Sequence, residues 1–377
     1  MKIEEFKSGK WQQQYQYKSF TPSTINHEWN WEDARINVLL EKATRVLGEL
    51  NAFSTMVPDV DLFIQMHISK EAQTSSKIEG TNTSMEEALM PEEAVAPERR
   101  LDWHEVRNYV EAMNYAIDEL SRLPISNRLL LQTHKILMQG VRGKHKNPGE
   151  IRSAQNWIGG KGPMDAVFVP PHPKEVPNLM SDLEKFMHND AISVPDLVRA
   201  AISHYHFETI HPFNDGNGRV GRLLITLFLV SKGVLQKPSL YLSDYFEKNR
   251  ANYIDGLMRV RTSNDLTYWV RFFLSAVLAT AEKGTETFKQ IINLKNEMDN
   301  ICMSFGRRAE QANSLVRLLY SKPFVTARDI EVELKISTPT ANKLLKEFVE
   351  KDILKEVTGL LRDRLYGFRR YMNLFTS

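Results

Sequence analysis

From residue 211 the chain reads His211-Pro212-Phe213-Asn214-Asp215-Gly216-Asn217-Gly218-Arg219-Val220-Gly221-Arg222. Pro212 disfavours helical backbone at His211, so a preceding helix should end there and leave the imidazole on a loop. The Gly216-Asn217-Gly218 turn can take left-handed backbone angles and point successive N–H groups inward as an anion nest. A helix that begins near Gly218 adds its positive N-terminal end, which favours phosphate. Arg219 and Arg222, three apart, project from one face of that helix toward the same anion. Asp215 stands where it could hold Mg²⁺ between phosphate oxygens. His211, with an ordinary pKa near 6.5, can take a proton from an attacking hydroxyl. Together these are the parts for moving a phosphorus-bearing group from a nucleotide to an alcohol.

Taken singly, each part has a plainer reading. A glycine-rich turn before a helix is usually only a turn, and GNGRVG also fits the dinucleotide pattern G-x-G-x-x-G. That pattern needs a strand before it, and a helix precedes this one. No G-x-x-x-x-G-K-[ST] stretch exists, which excludes a P-loop nucleotidase. His204, His206, Glu208 and His211 suggest a metal cluster, but on a helix His204 and His206 point about 200° apart and no H-E-x-x-H is present. The apolar run from Leu223 to Phe228 reads as a buried helix.

The elements that must hold this segment are mostly helical. A hydrophobic fraction of 42% and a charged fraction of 25% suit a globular protein with real cores and exclude disorder as the main theme. Net charge is +2, so no whole-chain field marks a nucleic-acid coat. The single cysteine, Cys302, excludes an internal disulfide framework. Without a signal-peptide core near the start or an apolar run of spanning length, the expected location is cytoplasmic, with no membrane contact. Residues 31–50 show a helical stripe through Ile36, Leu40, Ala43 and Leu47. Pro58 suits the first position of a second helix running to Lys77, which Gly80 stops. Thr83 to Glu86 reads as a capping box, residues 90–100 as a linker, and Asp102 to Leu120 as a helix. Val141 to Pro173, with five glycines and five prolines, suits a β-hairpin or ordered flap. Helices then resume at Ser193–Thr209, from about Gly218 to Ser231, from Tyr245 to about Val260, and as a longer pair to about residue 305.

The 211–222 segment resembles the Fic-domain signature H-x-F-x-[DE]-G-N-G-R-x-x-R at all eight fixed positions. The resemblance implies a helical core with a β-hairpin flap over the site, and transfer of AMP from ATP to a Ser, Thr or Tyr hydroxyl of a protein, the enzyme itself included, with release of pyrophosphate. On that basis His211 is the base, Phe213 a buried anchor, and Asp215 the Mg²⁺ ligand. Gly216, Asn217 and Gly218 form the anion hole, Arg219 and Arg222 clamp the phosphates, and Tyr253 packs against adenine. Ser75-Ser76-Lys77-Ile78-Glu79-Gly80 is similar to the family's inhibitory motif [ST]-x-x-x-E-[GN]. Ser75 and Glu79 share a helix face, and Glu79 paired with Arg222 would fill the room of the γ-phosphate. The flap, in the family, holds the target by strand addition; here it carries extra residues, Gly159 to Asp165.

The tail from Ser314 resembles a winged helix-turn-helix. Residues 301–377 carry 14 basic and 9 acidic side chains, +5, against −3 for the remainder. Its second helix offers only Lys343 and Lys346 against Glu347 and Glu350, which favours protein contact over DNA binding. The expected organisation is therefore residues 1–100 with the brake, 101–305 as catalytic core, and 306–377 as winged helix. A transcriptional regulator with a nucleotide-sensing core, transfer of another nucleotide, and AMP removal stay open as alternatives, as does a homodimer.

Overall fold

The computed structural model describes residues 1–57, 59–140, 145–359 and 363–376. Pro58 and residues 141–144, at the start of the Gly/Pro-rich stretch, lie outside the described residues. The chain is mostly α. A short hairpin, β1 (Gly9–Gln13) and β2 (Lys18–Pro22), is followed by α1 (Ala34–Met56), α2 (Val60–Ile78), α3 (Met85–Leu89), α4 (Arg100–Glu119) and α5 (Asn127–Leu137). After the flap come α6 (Val176–His188), α7 (Asp196–Ile210), α8 (Asn217–Ser231), α9 (Ser243–Lys248), α10 (Arg250–Ser263) and α11 (Leu266–Met303). The C-terminal unit is α12 (Ala309–Ser321), β3 (Phe324–Val325), α13 (Ala327–Leu334), α14 (Thr338–Glu350), β4 (Lys355–Glu356), β5 (Tyr366–Gly367) and α15 (Arg369–Thr376). Its three strands form an antiparallel sheet in the order β3-β5-β4. Among the described residues no helix is long and apolar enough to cross a membrane.

The centre of the molecule is α7 packed on α8. Every residue of α7 from Leu197 to Ile210 is buried, as are most of α8. One continuous apolar core runs from Ile3 to Phe375. The expected linker is two 3₁₀ turns, Glu92–Ala94 and Pro97–Arg99, pinned by Trp103 Nε1–H on the Met90 carbonyl.

Several expectations shift. The capping box lies one residue later, with Ser84 as N-cap and Glu87 returning the bond. The helix expected from Tyr245 breaks at Asn249, whose side-chain amide donates to the Tyr245 carbonyl and competes with the helical ladder. The expected pair of helices before residue 305 is one 38-residue helix, α11. Its buried stripe, from Trp269 and Phe273 through Phe288 and Ile291 to Met298 and Cys302, is never interrupted.

Among the described residues the flap forms no extended two-stranded ladder. It is reduced to one antiparallel bridge, Ile158 to Phe168, because Pro170 and Pro171 cannot donate to a ladder. The added 159–165 loop is closed by the Asp165 carboxylate, which accepts N–H bonds from Lys161 and Gly162. The N-terminal hairpin staples this flap down: Phe20 N–H donates to the Val169 carbonyl at 2.9 Å, and Phe20 and Trp11 both pack on Phe168.

Candidate active site

Gly80 places Glu79. At φ +104° it takes a backbone that only glycine adopts without strain, so α2 ends at once and Glu79 becomes its last turn's cap. Ser75, one turn earlier, is fully buried. Both meet Arg222 of α8. The Arg222 guanidinium donates from Nε to Ser75 Oγ at 2.8 Å, and from Nη2 to the Ser75 carbonyl at 2.9 Å and to Glu79 Oε1 at 2.7 Å. Burial alone would lower the pKa of Arg222, but Glu79 and Glu208 beside it raise it, so its charge is secure. Burial likewise works against the Glu79 carboxylate, and Arg222, with Arg219 behind it, outweighs burial and holds its pKa below the ordinary value.

The same carboxylate covers the glycine turn. A Cβ added to Gly218 would lie 2.2 Å from Glu79 Oε1, so only glycine lets an anion rest on the α8 N-terminus there. Gly216, at φ +77°, caps α8, and its N–H donates to Asp215 Oδ1 at 2.6 Å. Asn217 closes the loop on itself: Phe213 N–H donates to Asn217 Oδ1 at 2.8 Å, and Asn217 Nδ2 donates to the Phe213 carbonyl at 2.9 Å. Arg219 is nearly buried, 3.3 Å from Glu105 and 3.8 Å from Asp215. A cleft of about 220 Å³ borders Glu79, Asp215 and Arg219 and is walled by α4 and α5. Asp215 keeps a half-exposed carboxylate on that cleft. One such carboxylate beside an anion cradle fits Mg²⁺, an ion that takes most of its ligands from phosphate and water. Among the described residues no three His, Cys, Asp or Glu side chains gather into a metal site.

His211 ends α7 in the left-handed region, φ 51° and ψ 60°, a conformation costing a non-glycine residue about 1–3 kcal/mol. Arg152 holds it there. The buried guanidinium donates to the carbonyls of His211 at 2.9 Å, Pro171 at 2.5 Å and Ile210 at 3.4 Å, which satisfies the free end of α7 with a cation. Asn156 adds bonds to the His211 and Phe213 carbonyls at 3.1 and 2.8 Å. Nδ1 of His211 is buried without a partner. Burial, then Arg261 and Arg152, push its pKa down to about 3, so the imidazole is neutral.

Phe213 is fully buried and stacks on His134 at 3.7 Å between ring centroids. His134 accepts from the Gly149 N–H at Nδ1 and lies 3.0 Å from the Asp215 carbonyl at Nε2, so the proton sits on Nε2. Burial pushes its pKa down to about 4 and keeps this tautomer neutral. The sequence reading passed over His134, Arg152, Asn156 and Arg261. None shares a helical or strand period with the 211–222 segment, and only the place of Arg152 and Asn156 in the flap hinted at a role. Glu208, weighed only as a metal ligand, is buried with Oε1 unpartnered. Its pKa is pushed up to about 7 by burial.

Tyr253 departs from the adenine-stacking expectation. Its ring is 4% exposed, stacked on Phe246 at 4.5 Å, and its hydroxyl is 3.0 Å from His204 Nε2. Aromatic packing against His204 of α7, Phe246 of α9 and Trp269 of α11 draws it inward, leaving no open ring face for a base.

Residues 38–118 match the model of the Fic/DOC family N-terminal region, and residues 124–229 match that of the Fic/DOC family. The first span contains Ser75 and Glu79, the second the whole 211–222 segment. The chain is 28% identical over 195 residues to a probable protein adenylyltransferase of Aquifex aeolicus, covering 52% of this chain and 55% of that one. It is 29% identical over 176 residues to the protein adenylyltransferase Fic of Drosophila erecta, 45% of this chain and 32% of that one. The chain thus matches about half the length of the first relative and a third of the second. In fold it is similar to a Fic family protein from Desulfovibrio desulfuricans, with a TM-score of 0.58 at 23% identity over 89% of this chain and 96% of that one. Residues 38–118 and 124–229 are therefore similar to Fic/DOC family domains, on a mostly helical fold like that of a solved Fic family protein.

Proposed function

We propose that this chain transfers AMP from ATP to a hydroxyl of a protein, its own included, and that Glu79 restrains the reaction. The observation carrying this reading is the Glu79 carboxylate resting on Gly218 and paired with Arg222, an anion already seated in an anion cradle. The relatives named protein adenylyltransferase support the reaction class.

In the reaction the acceptor oxygen forms a bond to the α-phosphorus, and the bond from that phosphorus to the oxygen bridging to the β-phosphorus breaks. Pyrophosphate leaves, and the hydroxyl proton passes to the neutral His211 imidazole. An incoming triphosphate brings negative charge beside His211, which raises its proton affinity from the low value burial imposes. The N–H groups of Asn217 and Gly218, with that of Gly216 once Asp215 turns toward Mg²⁺, donate to phosphate oxygens, and Arg219 and Arg222 neutralise them. Asp215 would hold Mg²⁺, which neutralises phosphate charge when bound. Arg152, Asn156 and His134 position the loop without touching substrate. Phe213 is its buried anchor.

Glu79 and a γ-phosphate compete for Arg222, so the wild-type chain is slow until α2 shifts. We read the C-terminal unit as a winged helix that buttresses α2. Phe63 of α2 packs on Tyr320 at 4.9 Å and Tyr371 at 6.1 Å, and Lys70 bonds the Phe375 carbonyl. On α14, Lys346 faces Glu350 and Glu347 faces Arg308, a mixed surface that suits protein contact better than DNA. Mass spectrometry of the Glu79→Gly protein after incubation with ATP and Mg²⁺ tests the reading. An AMP adduct that His211→Ala removes is expected. Its absence, in a folded protein that binds ATP, would refute the reaction.

A further inference from the structure

A cavity of about 180 Å³ opens beside α2, walled also by residues 239–248, by α11 and by Phe375 of α15. His67, Lys70, Glu71 and Thr74 face it at i, i+3, i+4 and i+7. Ser75 and Glu79 lie about 100° round the same helix. The cavity is thus separate from the phosphate cradle while sharing a helix with it.

Three observations bear on what it holds. First, His67 Nε2, Ser239 Oγ and Tyr241 Oη have no hydrogen-bond partner, although their residues are 8%, 3% and 7% exposed. Buried polar groups are almost always satisfied, so three unpartnered ones behind one cavity wall mark that wall as incompletely packed. Second, the ammonium groups of Lys70, Lys248 and Lys283 converge on the single Asp244 carboxylate, at 3.8, 3.1 and 3.4 Å. Even counting Glu71, which is already engaged by Ser243 and Tyr109, cations exceed carboxylates in the lining. Burial, and then the neighbouring lysines against the pull of Asp244, push the Lys70 pKa down to about 8, consistent with positive charge in excess. Third, the remaining wall is apolar, with Phe375, Tyr245 and Ala279 in it. The space is comparable to an engineered apolar cavity of about 150 Å³ that takes benzene.

We infer that this cavity is a second ligand site, for a small organic anion: a ring-sized apolar body bearing one carboxylate or phosphate. The body fills the apolar wall and offers its anion to Lys248 and Lys283 at the mouth.

The test uses the full chain and ligand-detected NMR with phenyl phosphate and benzoate, beside inorganic phosphate and benzyl alcohol. At least one of the ring-bearing anions should bind, more tightly than either inorganic phosphate or the neutral alcohol, and saturating ATP should not displace it. Lys248→Gln with Lys283→Gln, both at the exposed mouth, should weaken that binding about tenfold or more, the loss of a charge-assisted contact. Thr280→Trp should abolish it by filling the space; if that variant fails to fold, the lysine pair still decides. No binding of either ring-bearing anion at about 5 mM, displacement by ATP, or unchanged affinity in the lysine variant would overturn the inference. Because binding is read directly, the result stands whether or not AMP transfer occurs.

Discussion

Replacing Glu79 with glycine removes one carboxylate and leaves Arg222 with two bonds to Ser75. A hydrogen bond between charged partners is worth about 1.5–3 kcal/mol. The Glu79 side chain is 40% exposed while Arg222 is 2% exposed, so solvent screens the acid and the lower end applies. About 1.5 kcal/mol corresponds to roughly tenfold in an equilibrium constant. Since the triphosphate must displace Glu79 from Arg222, ATP affinity or self-modification should rise by at least that factor. The nucleotide-free protein should lose about 1.5 kcal/mol of stability, the worth of the charged hydrogen bond removed from Arg222. Glu79→Gln should fall between the two, keeping shape and losing charge. Titration calorimetry with ATP and Mg²⁺, intact-mass measurement of AMP incorporation, and thermal melts without nucleotide check all three. Equal ATP affinity and equal incorporation in wild type and Glu79→Gly would show that the pair does not compete with nucleotide.

Phe213→Ala empties the stack on His134 inside the core and should cost about 3–5 kcal/mol, read as a lower urea midpoint. Arg152→Met keeps length but frees the carbonyls at the end of α7. AMP transfer should fall well over tenfold, while the ATP dissociation constant, set by the distant Arg219 and Arg222, changes less than threefold. Stability should fall as pH drops below about 6.5. His67, His204, His206 and His211 are pushed down to about 3 and His134 to about 4, all by burial, so the unfolded chain binds more protons there. Glu208 and Glu71, both raised by burial, oppose this between their ordinary and raised values, yet five imidazoles outnumber two carboxyls. A urea midpoint that is the same at pH 7 and pH 5 would contradict those environments.

What the sequence could reveal tracks how local each feature is. The cradle is legible because residues 211–222 are contiguous and their roles follow from turn and helix-start geometry. Ser75 and Glu79 are legible because i, i+4 spacing makes them one face, and Gly80 marks where that face ends. The staple of β1 and β2 on the flap is not legible: Ser19 and Phe20 are both buried, so the strand lacks the alternation that would mark it. His134 and Arg152 are invisible for a related reason. Each acts on a loop some sixty to eighty residues away, and no local pattern encodes that meeting. Tyr253 illustrates the reverse error. The resemblance implied a ring packed against adenine, but neighbours from three helices turn the ring inward.

The strained corner at His211 ties these pieces into one requirement. A left-handed non-glycine residue persists only where its surroundings over-determine it. Here Arg152 and Asn156 hold its carbonyl from the flap side, and Asn217 and His134 hold the next turn from the helix side. The flap is in turn anchored by Phe20 on Val169 and by Arg261 lying 4.0 Å over the Phe168 ring. Loosening the N-terminal hairpin should therefore relax His211 before it disturbs Arg219 or Arg222, which rest on α8 and its contacts with α2 and α4. Phe20→Ala then separates the two halves of the site: the acceptor-activating imidazole is impaired while the phosphate cradle stays intact. Weakened AMP transfer in a Phe20→Ala, Glu79→Gly double variant that still binds ATP as tightly as Glu79→Gly would bear this out, and parallel loss of both would show that the cradle and the corner move as one.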